Sequence, residues 1–210
     1  MNKLLAIILV TISVLSLAAC SKQNTAPSEK LPKEESITDV SVYFPVDSGL
    51  AWIYEGTGNE YAGFTRKVIR RQDKLAQLGE NNGGTQMGLV YQVTPEAVSL
   101  IYAVEEYYSD GSLLSRQPNR NEILLKAPLK PGASWQDARY KREVVSIADT
   151  ITMPGGTFTS VIRIKGTPLN QTNTASLIEY YAPGVGLIAR EYIISEDSQI
   201  TSKLKSWNKN

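Results

Sequence analysis

The chain has 210 residues, with 22 basic against 21 acidic side chains, a net charge of +1 and no histidine. A chain so near neutrality, with no basic block, gives no electrostatic case for binding nucleic acid or anionic headgroups. The missing histidine excludes Ser-His-Asp and Cys-His catalysis and any histidine metal ligand. Chemistry by carboxylate, lysine or tyrosine stays open.

Met1-Asn2-Lys3 supplies one positive charge, and residues 4–19 carry none. That apolar run is too short for a membrane span, which needs ~20 residues. It reads as the core of an export signal, ending Leu17-Ala18-Ala19-Cys20. These four residues resemble the bacterial lipobox. The resemblance implies cleavage between Ala19 and Cys20, a diacylglyceryl group on the Cys20 thiol and usually an N-acyl group on the new terminus. An ordinary secretory signal with a chance cysteine, or an uncleaved anchor, are the competing readings. Several acyl chains hold a protein on a membrane where one alone is marginal. Cys20 is the sole cysteine, so no disulfide can form within the chain. By resemblance to the sorting rules of diderm bacteria, Ser21 favours the outer membrane. In a monoderm the anchor would hold the chain on the outer face of its one membrane.

Residues 20–39 follow the cut. From Ser21 onward they are polar, carry Pro27 and Pro32, and cannot bury enough surface to fold alone. They read as a flexible tether averaging ~25 Å, with a helix over Glu34 and Glu35 as the competing reading.

Residues 40–210 read as one antiparallel β domain. Strands are expected at 41–46, 51–55, 63–71, 86–94, 97–108, 121–127, 139–147, 157–165, 176–182, 187–195 and 199–207. Each is rich in Val, Ile, Tyr or Thr between Gly, Pro, Asn or Ser. In 63–71 the period of two puts Phe64, Arg66, Val68 and Arg70 on one face. Thr94-Pro95-Glu96 and Ser109-Asp110-Gly111-Ser112 are expected turns. A helix over 135–145 competes with the strand at 139–147. The class is mainly β: a curved antiparallel sheet, half-barrel or sandwich.

One pattern recurs. Pro45, Gly49 and Trp52 are repeated as Pro128, Gly132 and Trp135, each 83 residues on. A glycine turn that delivers a tryptophan into the core explains both copies. Duplication of a half-domain and coincidence both remain open.

Tyr43-Phe44-Pro45-Val46 with Gly49 and Trp52 resembles the opening of a group of β-rich bacterial lipoproteins. So do Pro128-Leu129 with Gly132 and Trp135, Gly156-Thr157-Phe158, and the run from Tyr181 to Leu187 through Gly184 and Gly186. The resemblance spans residues 43–192 and contains no catalytic motif. It implies fold and location, not an activity. Pro183-Gly184-Val185-Gly186 itself reads as a hairpin turn, with glycines where positive φ is needed.

The remaining candidates are weak. Tyr102, Tyr107 and Tyr108 form one cluster and Tyr180, Tyr181 and Tyr192 another, suited to a half-exposed sheet or a ligand groove. Glu105 and Glu106, like Arg70 and Arg71, should point to opposite faces of a strand. Asp137, Glu143 and Asp149 read as solvated surface, and Asn170-Gln171-Thr172 as a chance sequon. No catalytic residue, metal ligand or cofactor site is expected beyond the lipid on Cys20.

These features point to a non-enzymatic, membrane-anchored binding or scaffolding module of the envelope. Its partners would be the membrane and an envelope protein or apolar ligand. A carrier of lipid or another apolar ligand is the alternative, and a carboxylate hydrolase the weaker one. A carrier needs a largely apolar cavity of several hundred Å3. A scaffold needs an exposed apolar patch. A hydrolase needs two carboxylates within about 5–10 Å.

Overall fold

The computed structural model describes residues 36–109, 111–170 and 175–209. The signal, Cys20 and the tether as far as residue 35 lie outside them. Twelve strands follow in chain order: β1 (Leu50–Thr57), β2 (Phe64–Gln72), β3 (Leu75–Asn81), β4 (Gln86–Val93), β5 (Ala97–Val104) and β6 (Glu122–Lys126), then β7 (Ser134–Gln136), β8 (Tyr140–Met153), β9 (Gly156–Pro168), β10 (Ser176–Ala182), β11 (Gly186–Ser195) and β12 (Ser198–Lys209). Every pairing is antiparallel, between neighbours in sequence, except that β12 returns to pair with β1. The sheet therefore curls into a nearly closed barrel whose one gap lies between β6 and β7.

Alternation decides what faces inward. Leu50, Trp52 and Tyr54 are buried on β1, and Tyr140, Arg142 and Val144 on β8, while their neighbours on the strand are more exposed. Bulges such as those at Ile53/Tyr54 and Val68/Arg70 interrupt the long ladders and add the curvature that closure needs. Side chains and single backbone bonds bridge the gap. Trp135 Nε1 donates to the Ile123 carbonyl at 2.8 Å, and the Ala138 N–H to the Asn121 carbonyl at 3.0 Å.

One end of the barrel is packed with apolar side chains. A 3-10 turn at Ser41–Tyr43 crosses it, where a strand was expected: the Gly184 N–H donates to the Val42 carbonyl at 2.7 Å. Phe44, Val46, Trp52, Val185 and Leu187 are buried beneath it. Trp52 Nε1 donates to the Val185 carbonyl and the Tyr54 hydroxyl to the Leu187 carbonyl, both at 2.8 Å. The polar tips of Trp52 and Tyr54 are thus satisfied by backbone, as burial requires.

Several expectations are corrected. Residues 135–145 form β7, a turn and β8, with no helix. Strands β3 and β7 were not foreseen. Ile37, inside the expected tether, already pairs with Leu129 through two backbone hydrogen bonds of 2.9 Å. Strand β5 stops at Val104, so Glu105 and Glu106 do not alternate on a strand; Glu106 sits at φ 54°. The glycines read as turn residues all have positive φ: 87° at Gly49, 81° at Gly132, 73° at Gly184 and 95° at Gly186. Each Pro–Gly–Trp turn opens a run of six strands.

Candidate binding cavity

Towards the other end, the inward positions change character. Arg66 stands between Phe64 and Val68 on β2, Glu179 between Leu177 and Tyr181 on β10, and Arg142 between Tyr140 and Val144 on β8. All three charged residues are buried. Register sets the pairs: Arg66 is directly opposite Glu80, and Glu179 opposite Arg190. Arg142 faces Gly166 on β9, whose missing side chain leaves room for Tyr140; a Cβ there would stand 3.2 Å from the Tyr140 ring.

These groups surround a cavity of about 260 Å3. Arg66 donates twice to one oxygen of Glu80, from Nε at 3.0 Å and Nη2 at 2.7 Å. Arg142 donates from Nε to Asp137 at 2.8 Å and from Nη1 to Glu179 at 2.6 Å. Asp137 also accepts the backbone N–H groups of Arg139 and Tyr140 through its other oxygen, at 2.7 and 2.8 Å. Arg190 Nε lies 3.4 Å from Glu179. The cavity reaches the surface past exposed Glu105, Arg120 and Arg139. There it meets an open groove of about 650 Å3 over the β6–β7 gap, which shares Arg120, Glu122 and Arg139 with it.

Burial alone would raise the Glu179 carboxyl. Arg142 and Arg190 outweigh it and hold the group below the ordinary carboxylate value. Glu80 is lowered likewise, burial opposing and Arg66 and Arg190 prevailing. Burial pushes the Tyr91 hydroxyl up to about 12 and also raises Tyr140. The interior therefore holds ionised carboxylates, ionised guanidiniums and neutral phenols together.

The expected site residues scatter. Trp52 and Trp135 are core residues, each donating its N–H to a carbonyl. Tyr181 is buried in the core, and Tyr192 lines the cavity; Tyr108 is 68% exposed. Glu143 is exposed and Asp149 partly buried, its carboxylate meeting Arg163 at 3.3 Å. Asp137 is the clear correction: it is buried, because Arg142 and two backbone N–H groups take up its charge. Of Asn170-Gln171-Thr172, the last two lie outside the described residues. Sequence reasoning placed Arg66 on the Phe64–Val68 face but did not see a cavity there. The signal was a charge in the inward register of a strand, repeated at Arg142 and Glu179.

No family model matches the chain, and no curated protein resembles it in sequence. Two solved structures resemble it. A candidate exported protein with a YmcC-like fold from Bacteroides fragilis NCTC 9343 is 13% identical, with a TM-score of 0.51 over 79% of this chain and 98% of its own. A candidate lipoprotein from Parabacteroides distasonis ATCC 8503 is 16% identical, with a TM-score of 0.46 over 83% and 100%. At such identities the likeness is one of fold: the barrel is similar to the YmcC-like fold of the Bacteroides protein.

Proposed function

We propose that this chain is an envelope lipoprotein, lipidated on Cys20, and that its barrel is a non-enzymatic binding module with the charged cavity as its site. The cavity carries the reading. Buried ion pairs are often no better for stability than apolar residues of the same volume, and this barrel fills its other end with apolar side chains. A water-accessible cavity lined by charges fits ligand recognition better than it fits stability. The lipobox supports the anchor, and the Bacteroides protein of similar fold is also described as exported.

The lining favours a polar ligand over an acyl chain. Five arginines and four glutamates border the space, and an apolar cargo would strip them of water without replacing their hydrogen bonds. The binding reading is preferred to hydrolysis because Glu80 and Glu179 are held ionised by guanidiniums, whereas a general acid needs a raised pKa. No resident cofactor is invoked.

The test is native mass spectrometry of the full-length lipoprotein extracted from membranes in mild detergent, beside Cys20→Ala and the cavity-filling Ala103→Phe. The expected result is acyl mass on the wild type but not on Cys20→Ala, and a stoichiometric polar ligand lost in Ala103→Phe. A co-purified lipid held inside the barrel, or no ligand across expression conditions, would overturn the site assignment. Acyl mass surviving in Cys20→Ala would overturn the anchor.

A further inference from the structure

We propose that the ligand bears an oxyanion, a carboxylate or a phosphate, and that Arg190 is the residue that anchors it. This rests on the cavity being a binding site. Three guanidiniums line the depth of the cavity, and they are not equivalent. Arg66 is closed by two hydrogen bonds to Glu80, and Arg142 by one each to Asp137 and Glu179. The Arg190 side chain makes no hydrogen bond to any described residue. Its contact with Glu179 is an ion pair at 3.4 Å, and its buried Nε has no hydrogen-bond partner.

The reason lies in the sharing of Glu179. That carboxylate already accepts the 2.6 Å bond from Arg142, so the cross-strand partner that register assigns to Arg190 serves two cations. A guanidinium has five N–H donors in a planar fork. Of these, Nε is buried without a partner, which is costly, and a ligand oxygen that accepts from it recovers that cost. The Phe64 ring lies 5.7 Å from the Arg190 guanidinium carbon and offers the cation a π-face. A fork so placed suits a planar or tetrahedral oxyanion that accepts two bonds. At about 260 Å3 and ~30 Å3 per water, the space holds a ligand of small-metabolite size or one end of a longer one.

The experiment titrates full-length lipoprotein in detergent with succinate, inorganic phosphate or glycerol at constant ionic strength, reading the thermal unfolding midpoint. A ligand that binds only the folded state raises that midpoint saturably. Saturable stabilisation by succinate or by phosphate is expected, and which one responds identifies the oxyanion. Arg190→Met should weaken that response at least tenfold, and Arg190→Lys, which keeps the charge but loses the fork, at least threefold. Saturation by neither anion, equal saturation by glycerol, or unchanged affinity in both variants would overturn the proposal. If the anions fail while a co-purified ligand is still lost in Ala103→Phe, the cavity remains the site and the oxyanion is wrong.

Discussion

The two ends of the barrel are built from the same strands and differ in what those strands turn inward. Around Trp52, Phe44, Val185 and Leu187 the interior is apolar, and the polar tips of Trp52 and Tyr54 are bonded to backbone. Around Arg66, Glu80, Arg142, Glu179 and Arg190 it is charged and open to water. The change takes one inward position along several strands: Val68 to Arg66 on β2, Val144 to Arg142 on β8, Tyr181 to Glu179 on β10. The apolar end supplies stability, and the charged end sets conditions on what can enter.

That division can be broken most forcefully at the apolar end. Trp52→Ala removes a large buried side chain and leaves the Val185 carbonyl without its donor. A loss of about 5 kcal/mol is expected, read by chemical denaturation. At the charged end, Glu179→Ala leaves Arg190 without its carboxylate and Arg142 with Asp137 alone, and about 3 kcal/mol should go. Acid tests the same contact. Glu80 and Glu179 have folded values below the ordinary carboxylate value of 4.5. Their contribution is therefore present above about that pH and lost as pH falls through the lower folded values. Stability should drop on acidification from about pH 4.5 downward, and Glu179→Gln should flatten that dependence. A steeper acid loss in the variant would contradict the assignment.

Smaller effects sharpen the contrast. Gly166→Ala places a Cβ 3.2 Å from the Tyr140 ring and 3.4 Å from Leu177 Cβ, and a cost of about 1 kcal/mol is expected from the crowding. The paired replacement Arg66→Met with Glu80→Leu should leave stability unchanged or slightly raised. A loss above about 2 kcal/mol in the double variant would mean that this pair is structural.

Much of this was legible beforehand. Ten of the twelve strands were located, β8 with its end six residues short and the others within a few residues, since period-two runs between turn residues mark half-buried strands. The Gly–Trp turns and the Gly184–Gly186 hairpin followed from residues with narrow conformational or packing roles. Strand β3 escaped because Gly79 and the buried Gln77 break its apolar pattern; Gln77 instead holds the loop backbone at Gly111 and Leu113. Strand β7 is three residues long and carries no period. The cavity was hidden for a different reason. An inward charge can be read on one strand, as at Arg66, but its partners lie on strands far away in sequence. Asp137 looked like surface because nothing local announces that Arg142 and two backbone N–H groups converge on it.

The pairing of β1 with β12 also governs how the chain can fold. Leu50 meets Lys209 across this ladder, so the first strand formed must wait for the last. Local hairpins can assemble in order, but the contact that joins the two six-strand halves has nearly the greatest sequence separation the folded domain allows, and such contacts slow folding. Until then the outer edge of β1 exposes unpaired N–H and C=O groups, the kind of edge that invites pairing with another chain. A chain cut short before Ser198 would keep that edge permanently, and should aggregate by strand addition rather than persist as an open barrel.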